Sequence, residues 1–407
     1  MIEKIAGGVC APKGFKAYGV HCGIRKNKIK KDLALIISDV RCSAAGVYTT
    51  NLVKGAPILV TKEHLIDGYA RAVIVNSGNT NTCNANGVEI ANGMCALVEK
   101  HVGIPACDVI VASTGVIGQK LSLEPIAGGM PALAHGLTSA DEGSTAAAEA
   151  IMTTDTYSKE VAVSFELGGV RCTIGAIAKG VGMICPNMAT MLAFVTTDVA
   201  ISPAMLQKAL SEDVKSSMNM LSVDRDTSTN DTFCIMASGL AGNREITAAG
   251  KDFTAFQKAL HQVTVALCRM LASDGEGATK LIECTVSGAK TVKDARLAAK
   301  SVVCSDLLKA AIFGADANWG RVLCALGYSG AKLDIGKIDV DFRSAAGTVC
   351  VCRGGAGVEF SEEEAKKVLL EKEINIDIRL NQGRQSAQAW GCDLTYDYVK
   401  INGDYRT

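Results

Sequence analysis

Short runs in which apolar and polar residues alternate, or in which apolar residues are continuous, recur along this chain. They are residues 32–40 (DLALIISDV), 71–77 (RAVIVNS), 108–113 (DVIVAS), 160–169 (EVAVSFELGG), 337–344 (KIDVDFRS), 373–380 (EINIDIRL) and 392–403 (CDLTYDYVKING). A period of two places successive side chains on opposite faces of a strand, so each run predicts a β-strand. Between them, residues 88–102, 203–218 and 253–271 carry apolar residues at the spacing of one helix face. Ser361 followed by Glu364 is a capping-box signal that opens a further helix. Strands and helices in mixed order, with only 7 prolines and no low-complexity linker, predict a compact α/β or α+β body.

Charge and composition narrow the functional classes. Lys plus Arg and Asp plus Glu both total 42, and that balance argues against a nucleic-acid binder. No apolar stretch is long enough to span a membrane, and the start MIEKIAGGVCAPKG lacks the apolar core of a signal peptide. A cytoplasmic protein, with neither a membrane nor a nucleic acid as partner, is therefore expected. The 16 cysteines are scattered: the only close pair, Cys350 and Cys352, has no second pair at zinc spacing. In a large chain without an export signal they read as small core residues rather than a disulfide framework. The histidines (His21, His64, His101, His135, His261) stand far apart, so metal catalysis gains no support and no metal is expected.

Residues 178–198, AKGVGMICPNMATMLAFVTTD, hold the main chemical candidate. Thr190 precedes an apolar run, and a threonine hydroxyl is a weak nucleophile unless a base takes its proton. If the chain cut itself before Thr190, the new α-amino group, with a pKa of about 7.7–8, could be that base. The small Ala189 and the Gly and Pro-Asn lead-in would let the hydroxyl reach the Ala189 carbonyl. On local pattern alone Thr190 reads far more readily as a β-branched strand residue. A second candidate is Ser113-Thr114-Gly115, where a strand ends in a hydroxyl and a glycine N–H suited to an oxyanion, although many strand-to-helix turns look the same. Loops at 75–87, 222–231, 273–280 and 313–321 are dense in Asn, Asp, Ser and Gly, which suggests a pocket built from loops. No phosphate-binding loop, dinucleotide fingerprint or GxSxG elbow is present.

Taken together, the segments GGVCAPKGFKAYGVHCGI, AAGVYTTNLVKGAP, VNSGN, STGVIG, IMTTDT, KGVGMICPNMATML, DTSTND, DGEGATK, NWGR and AWGCDLTYDYVKINGDYRT resemble the ornithine acetyltransferase (glutamate N-acetyltransferase) family. The resemblance runs along essentially the whole chain. It implies self-cleavage between Ala189 and Thr190 into an α piece, residues 1–189, and a β piece, residues 190–407, folded as one intertwined body and assembled as a heterotetramer. It implies Thr190 as nucleophile, Thr114 and Gly115 as the oxyanion hole, and Thr153, Lys179, Thr190, Glu276, Asn402 and Thr407 as substrate contacts. The implied reaction moves an acetyl group from N2-acetyl-L-ornithine to L-glutamate through an acetyl-threonine. No cofactor is expected, and acetyl-CoA is a co-substrate for some members. The implied fold is an α/β (α+β) layered sheet-and-helix sandwich of the DmpA/ArgJ-like type. The chain departs from the family pattern at Cys185 and Arg225, where small residues are common, and at Ala315 and Ala317, where Arg and Pro are usual. Two rival readings are a self-processed N-terminal-nucleophile aminopeptidase or amidase, in which water resolves the acyl-enzyme, and a binding protein that never cleaves.

Overall fold

The computed structural model describes residues 2–27, 29–185 and 191–404. In chain order its strands are β1 (Glu3–Ile5), β2 (Phe15–Val20), β3 (Leu33–Tyr48), β4 (Tyr69–Asn79), β5 (Val109–Val116), β6 (Lys159–Leu167), β7 (Val170–Lys179), β8 (Leu192–Thr197), β9 (Leu221–Ser222), β10 (Thr232–Ala237), β11 (Leu281–Ala289), β12 (Asp339–Ser344), β13 (Gly347–Arg353), β14 (Ala356–Gly357), β15 (Glu373–Arg379) and β16 (Gln385–Cys392). Nine of them form one sheet in the order β1-β6-β7-β8-β10-β3-β4-β5, with β2 paired to β3. The other seven form a second sheet, β14-β13-β12-β15-β11-β16-β9. Parallel and antiparallel pairs mix in both sheets.

The long strand β3 shows why the first sheet must be covered on both sides. Leu33, Leu35 and Ile37 face a core shared with Met94 and Val98 of helix Gly87–Val102 and with Ile126, Met130 and Leu133 of helix Leu123–Gly136. The intervening Ala34 and Ile36 face the opposite core, with Ala147, Ala148 and Ile151 of helix Asp141–Ile151. Alternation on a strand whose two faces are both buried reads as a nearly continuous apolar run. Helix Lys251–Ser273 buries Phe256, Leu260, Val263 and Leu267 in a core that also takes residues of both sheets, so it ties the layers together.

Most expected elements are present, two with altered bounds. The helix expected at 203–218 stops as Pro203–Asp213, and a short 3-10 turn, Met218–Met220, follows. The segment 392–403, read as a strand, ends its strand at Cys392 and forms helix Tyr396–Gly403. Asp393 turns the chain away from the sheet by accepting N–H bonds from Thr279 (2.8 Å) and Lys280 (3.0 Å), and the Thr395 hydroxyl donates to the Gly277 carbonyl at 2.6 Å. The helix buries no residue among those described, so its apolar positions carried no helical period to read.

Candidate active site

A cleft at one end of the first sheet is lined by Thr114, Gly115, Thr153, Lys179, Glu276 and Asn402. These residues come from five separate parts of the chain, and all were expected from sequence to act on one substrate. Ala189, Thr190 and Thr407 lie outside the described residues. Met191 and Leu192, which follow Thr190 in sequence, line the same cleft.

Thr114 and Gly115 stand near the end of β5, where its parallel pairing with β4 loses register around Gly78 and Asn79. Gly115 has φ +131°, and a Cβ there would lie 2.3 Å from the Gly78 carbonyl carbon and 2.5 Å from the Asn79 nitrogen. Only glycine lets the two backbones approach this closely. The irregular end is held from beneath by Asn230, whose amide donates to the Thr80 carbonyl (2.7 Å) and the Ser113 carbonyl (3.0 Å). The Asn230 side-chain oxygen in turn accepts from the Thr82 and Thr229 hydroxyls at 2.5 and 2.7 Å. The buried Thr80, Thr82, Thr229 and Asn230, from the polar loops at 75–87 and 222–231, thus form a scaffold that fixes the end of β5.

Lys179 is the last residue of β7 and is buried. Its ammonium donates to the Thr153 hydroxyl at 2.5 Å and to the Thr114 hydroxyl at 3.4 Å, so the cation and the two hydroxyls share one small volume. Burial pushes the Lys179 pKa down, and the Asp155 charge opposes that shift. Asp155 is held by N–H bonds from Thr153 (3.0 Å) and Gly180 (2.9 Å). Burial would raise its pKa, but the charges of Lys179 and Lys159 outweigh this and bring it down to about 2.

Glu276 faces Lys179 across the cleft. Its carboxylate accepts from the Thr154 hydroxyl at 2.9 Å and from the Asn402 amide at 2.8 Å, while its own N–H donates to the Val181 carbonyl. Gly182 leaves room for it: a Cβ there would sit 2.3 Å from a Glu276 carboxylate oxygen. A cleft with one fixed cation and one fixed anion matches a molecule with a carboxylate at one end and an ammonium at the other.

Asp231 was not singled out from sequence. It lines the cleft, is 2% exposed, and its Oδ2 has no hydrogen-bond partner among the described residues. Burial pushes its pKa well above the ordinary aspartate value. Its signal was available as the acid at the end of DTSTND, but nothing local marks a loop carboxyl as buried. Of the departures from the family pattern, Cys185 accepts a bond from the Thr227 hydroxyl at its carbonyl (3.0 Å), and Arg225 adopts φ +71° and pairs with Asp306 on the surface. Among the described residues no group of His, Cys, Asp and Glu is arranged to hold a metal ion, and no helix is long and apolar enough to cross a membrane.

Comparison with known proteins places this site in context. The arginine biosynthesis bifunctional protein ArgJ of Symbiobacterium thermophilum is 52% identical over 408 residues, covering 100% of both chains. ArgJ 1 of Clostridium acetobutylicum is 50% identical, covering 97% of this chain and 96% of its own. Among solved structures, the Bacillus halodurans ArgJ is 47% identical with a TM-score of 0.51, covering 53% of this chain and 100% of that one. The ArgJ family model matches residues 16–407, and the chain belongs to the ArgJ family.

Proposed function

We infer that this chain transfers the acetyl group of N2-acetyl-L-ornithine to L-glutamate, giving L-ornithine and N-acetyl-L-glutamate in arginine biosynthesis. The observation that carries the reading is the convergence of Thr114, Gly115, Lys179, Glu276 and Asn402 on one cleft bordered by Met191. The chain first cuts itself between Ala189 and Thr190. The Thr190 hydroxyl then attacks the acetyl carbonyl, and its proton passes to the new α-amino group. The Thr114 hydroxyl and the Gly115 N–H stabilise the tetrahedral oxyanion. The C–N bond breaks, ornithine leaves with that proton, and an acetyl ester remains on Thr190. The amine of glutamate attacks the ester, and N-acetylglutamate departs as the threonine hydroxyl is restored. Lys179 pairs with the substrate carboxylate, Glu276 with the side-chain ammonium of ornithine, and Thr153, Asn402 and Thr407 add hydrogen bonds. The same threonine can be loaded from acetyl-CoA, a second activity in keeping with the bifunctional relatives. No resident cofactor enters either route.

The sheet order supports a cut that leaves the body intact. β8 and β10 follow residue 190 in sequence, yet they lie between β7 and β3, which precede it. The α and β pieces would be joined by two full strand ladders and stay together, with two of each as the expected assembly. The length of the solved Bacillus halodurans chain also supports the cut, since 53% of this chain covers all of it, close to the length of residues 190–407. Intact mass under denaturing conditions tests the first step. Two fragments meeting between Ala189 and Thr190 in the wild type, and one uncut chain in Thr190→Ala, are expected. Glutamate-dependent release of ornithine tests the second. A single wild-type mass would remove the proposed base, and ornithine release at the same rate without glutamate would make the protein an amidase.

A further inference from the structure

Cys185 and Cys304 stand 119 positions apart in sequence, yet their sulfurs lie 4.0 Å from each other. Both residues are half-buried. Among the described residues no other two cysteines are hydrogen-bonded to each other.

The backbone pins both positions. On one side the Met183 and Ile184 N–H groups donate to the Asp224 carboxylate at 2.6 and 2.8 Å, and the Ile184 carbonyl accepts from the Val223 N–H at 2.6 Å. The Cys185 carbonyl itself is held by the Thr227 hydroxyl. On the other side Cys304 caps helix Val292–Val303, its N–H donating to the Lys300 carbonyl at 3.1 Å, and the helix buries Val302 and Val303 in one core with Trp390 and Cys392 of β16. A disulfide holds its sulfurs about 2.05 Å apart, so this pair must close by about 2 Å, within the reach of rotation about the two Cα–Cβ bonds. The electrostatics divide the roles. The hydrogen bond from the Cys304 thiol holds the Cys185 pKa down against burial, the Lys300 charge adds to that, and the same bond pushes the Cys304 pKa up. Cys185 is therefore the attacking thiolate and Cys304 its neighbouring thiol.

The pair also bridges two parts of the chain that the proposed cut would separate. Cys185 follows Lys179, Gly182 and Met183 of the cleft wall and lies four residues before Ala189, whereas Cys304 belongs to residues 190–407. We propose that Cys185 and Cys304 are a thiol-oxidation site that closes to a disulfide with a two-electron oxidant, hydrogen peroxide, and that in the self-processed protein this bond ties the end of the α piece to the β piece. The tie between pieces rests on the self-cleavage reading above; the disulfide does not. The Cys185 thiolate attacks one peroxide oxygen, the S–O bond forms, the O–O bond breaks, and hydroxide leaves as water with the proton that the thiol gave up. Cys304 sulfur then attacks Cys185 sulfur, the S–S bond forms, the S–O bond breaks, and the Cys304 proton leaves with the hydroxyl as a second water. The two thiols lose two electrons and two protons, the peroxide is reduced to two waters, and a dithiol reductant reverses the bond by exchange.

The test starts from purified wild type that has been fully reduced, freed of reductant and treated with hydrogen peroxide in slight molar excess, with the remaining thiols then blocked by N-ethylmaleimide. On a denaturing gel without reductant the treated protein should run as one species of the whole chain's mass, and dithiothreitol should return it to two pieces. Mass spectrometry of a digest kept free of reductant should find the peptides of Cys185 and Cys304 joined, lighter than their sum by two hydrogen atoms. Cys185→Ser and Cys304→Ser should each run as two pieces with and without reductant. Two pieces from the treated wild type overturn the site, as does a linked species that survives in Cys185→Ser. Links that run only through the exposed Cys83, Cys107 or Cys324 also overturn it. A single wild-type chain in the presence of dithiothreitol, with the joined Cys185 and Cys304 peptides found in the digest of the oxidised sample, would overturn the cut alone; the same chain without those joined peptides would overturn the disulfide as well.

Discussion

Lys159 opens β6 with its side chain fully buried, and its ammonium lies 2.8 Å from Asp155 and 2.6 Å from Asp274. Replacing it by methionine keeps most of the volume and removes the charge. Both carboxylates would then stay buried without that cation, a situation that costs about 3–5 kcal/mol. The structure argues for the lower end of this range, about 3 kcal/mol. Asp155 keeps two N–H donors and the field of Lys179, and Asp274 keeps the Thr156 N–H at 3.0 Å and the Thr156 hydroxyl. The sign with pH follows from linkage. The Asp155 pKa of about 2 lies below the unfolded value, so its stabilisation is present above the ordinary aspartate range and lost as pH falls through about 2. In Lys159→Met that pKa rises, and the deficit should be largest near neutrality and shrink as pH falls through the raised value. Urea denaturation of wild type and variant at pH 7.5 and pH 5 reads both effects. Lys159→Met with Asp274→Asn removes the stranded charge while keeping an acceptor for Thr156, and should recover more than half of the loss. A loss under about 1 kcal/mol, or a double variant that is merely additive, would refute the account of this triad as a coupled buried network.

Three further outcomes are expected. Thr114→Ala removes one oxyanion donor and should lower kcat for acetyl transfer about 10²–10³-fold with a small change in KM; a loss below tenfold would exclude that role. Burial lowers the Lys179 pKa, so its charged form is lost at a lower pH than for an ordinary lysine. KM for acetylornithine should accordingly rise on the alkaline side well below pH of about 10, and Lys179→Arg should move that rise upward; a KM flat to that pH would separate Lys179 from the substrate carboxylate. The Cys185 thiol lies 4.0 Å from the Cys304 sulfur, and this hydrogen bond, outweighing burial, brings its pKa down. Iodoacetamide at pH 6.5 should therefore modify Cys185 ahead of the more exposed Cys83, Cys107 and Cys324, with Cys304→Ala slowing the reaction; peptide mapping by mass spectrometry that finds those three first would contradict it.

What could be read from sequence follows the range of the forces involved. The start of β3 is legible as an apolar run because both its faces are buried, and helix Lys251–Ser273 because burial imposes a period on its residues, whereas helix Tyr396–Gly403 buries nothing and so left no period. Lys179 and Glu276 carry no local mark of a site, because what makes them one is the approach of Thr153, Thr154 and Asn402 from distant segments. Asp155 and Asp274 lie in the segments IMTTDT and DGEGATK, but nothing local pairs either with Lys159, and the Lys159–Asp274 contact joins residues 115 positions apart. Sheet order has the same character, and it bears most directly on function. Lys179 lies opposite Leu192 in the antiparallel pairing of β7 and β8, and β8 continues in parallel with β10. A cut before residue 190 would free a chain end only two residues ahead of a strand that is hydrogen-bonded on both sides. The new amino terminus would then have little freedom to leave the Lys179 side of the cleft, because moving it means peeling β8 from the middle of a nine-stranded sheet. The same ladders that keep the two pieces together would thus keep the proposed nucleophile and base, two groups of one residue, at the cleft.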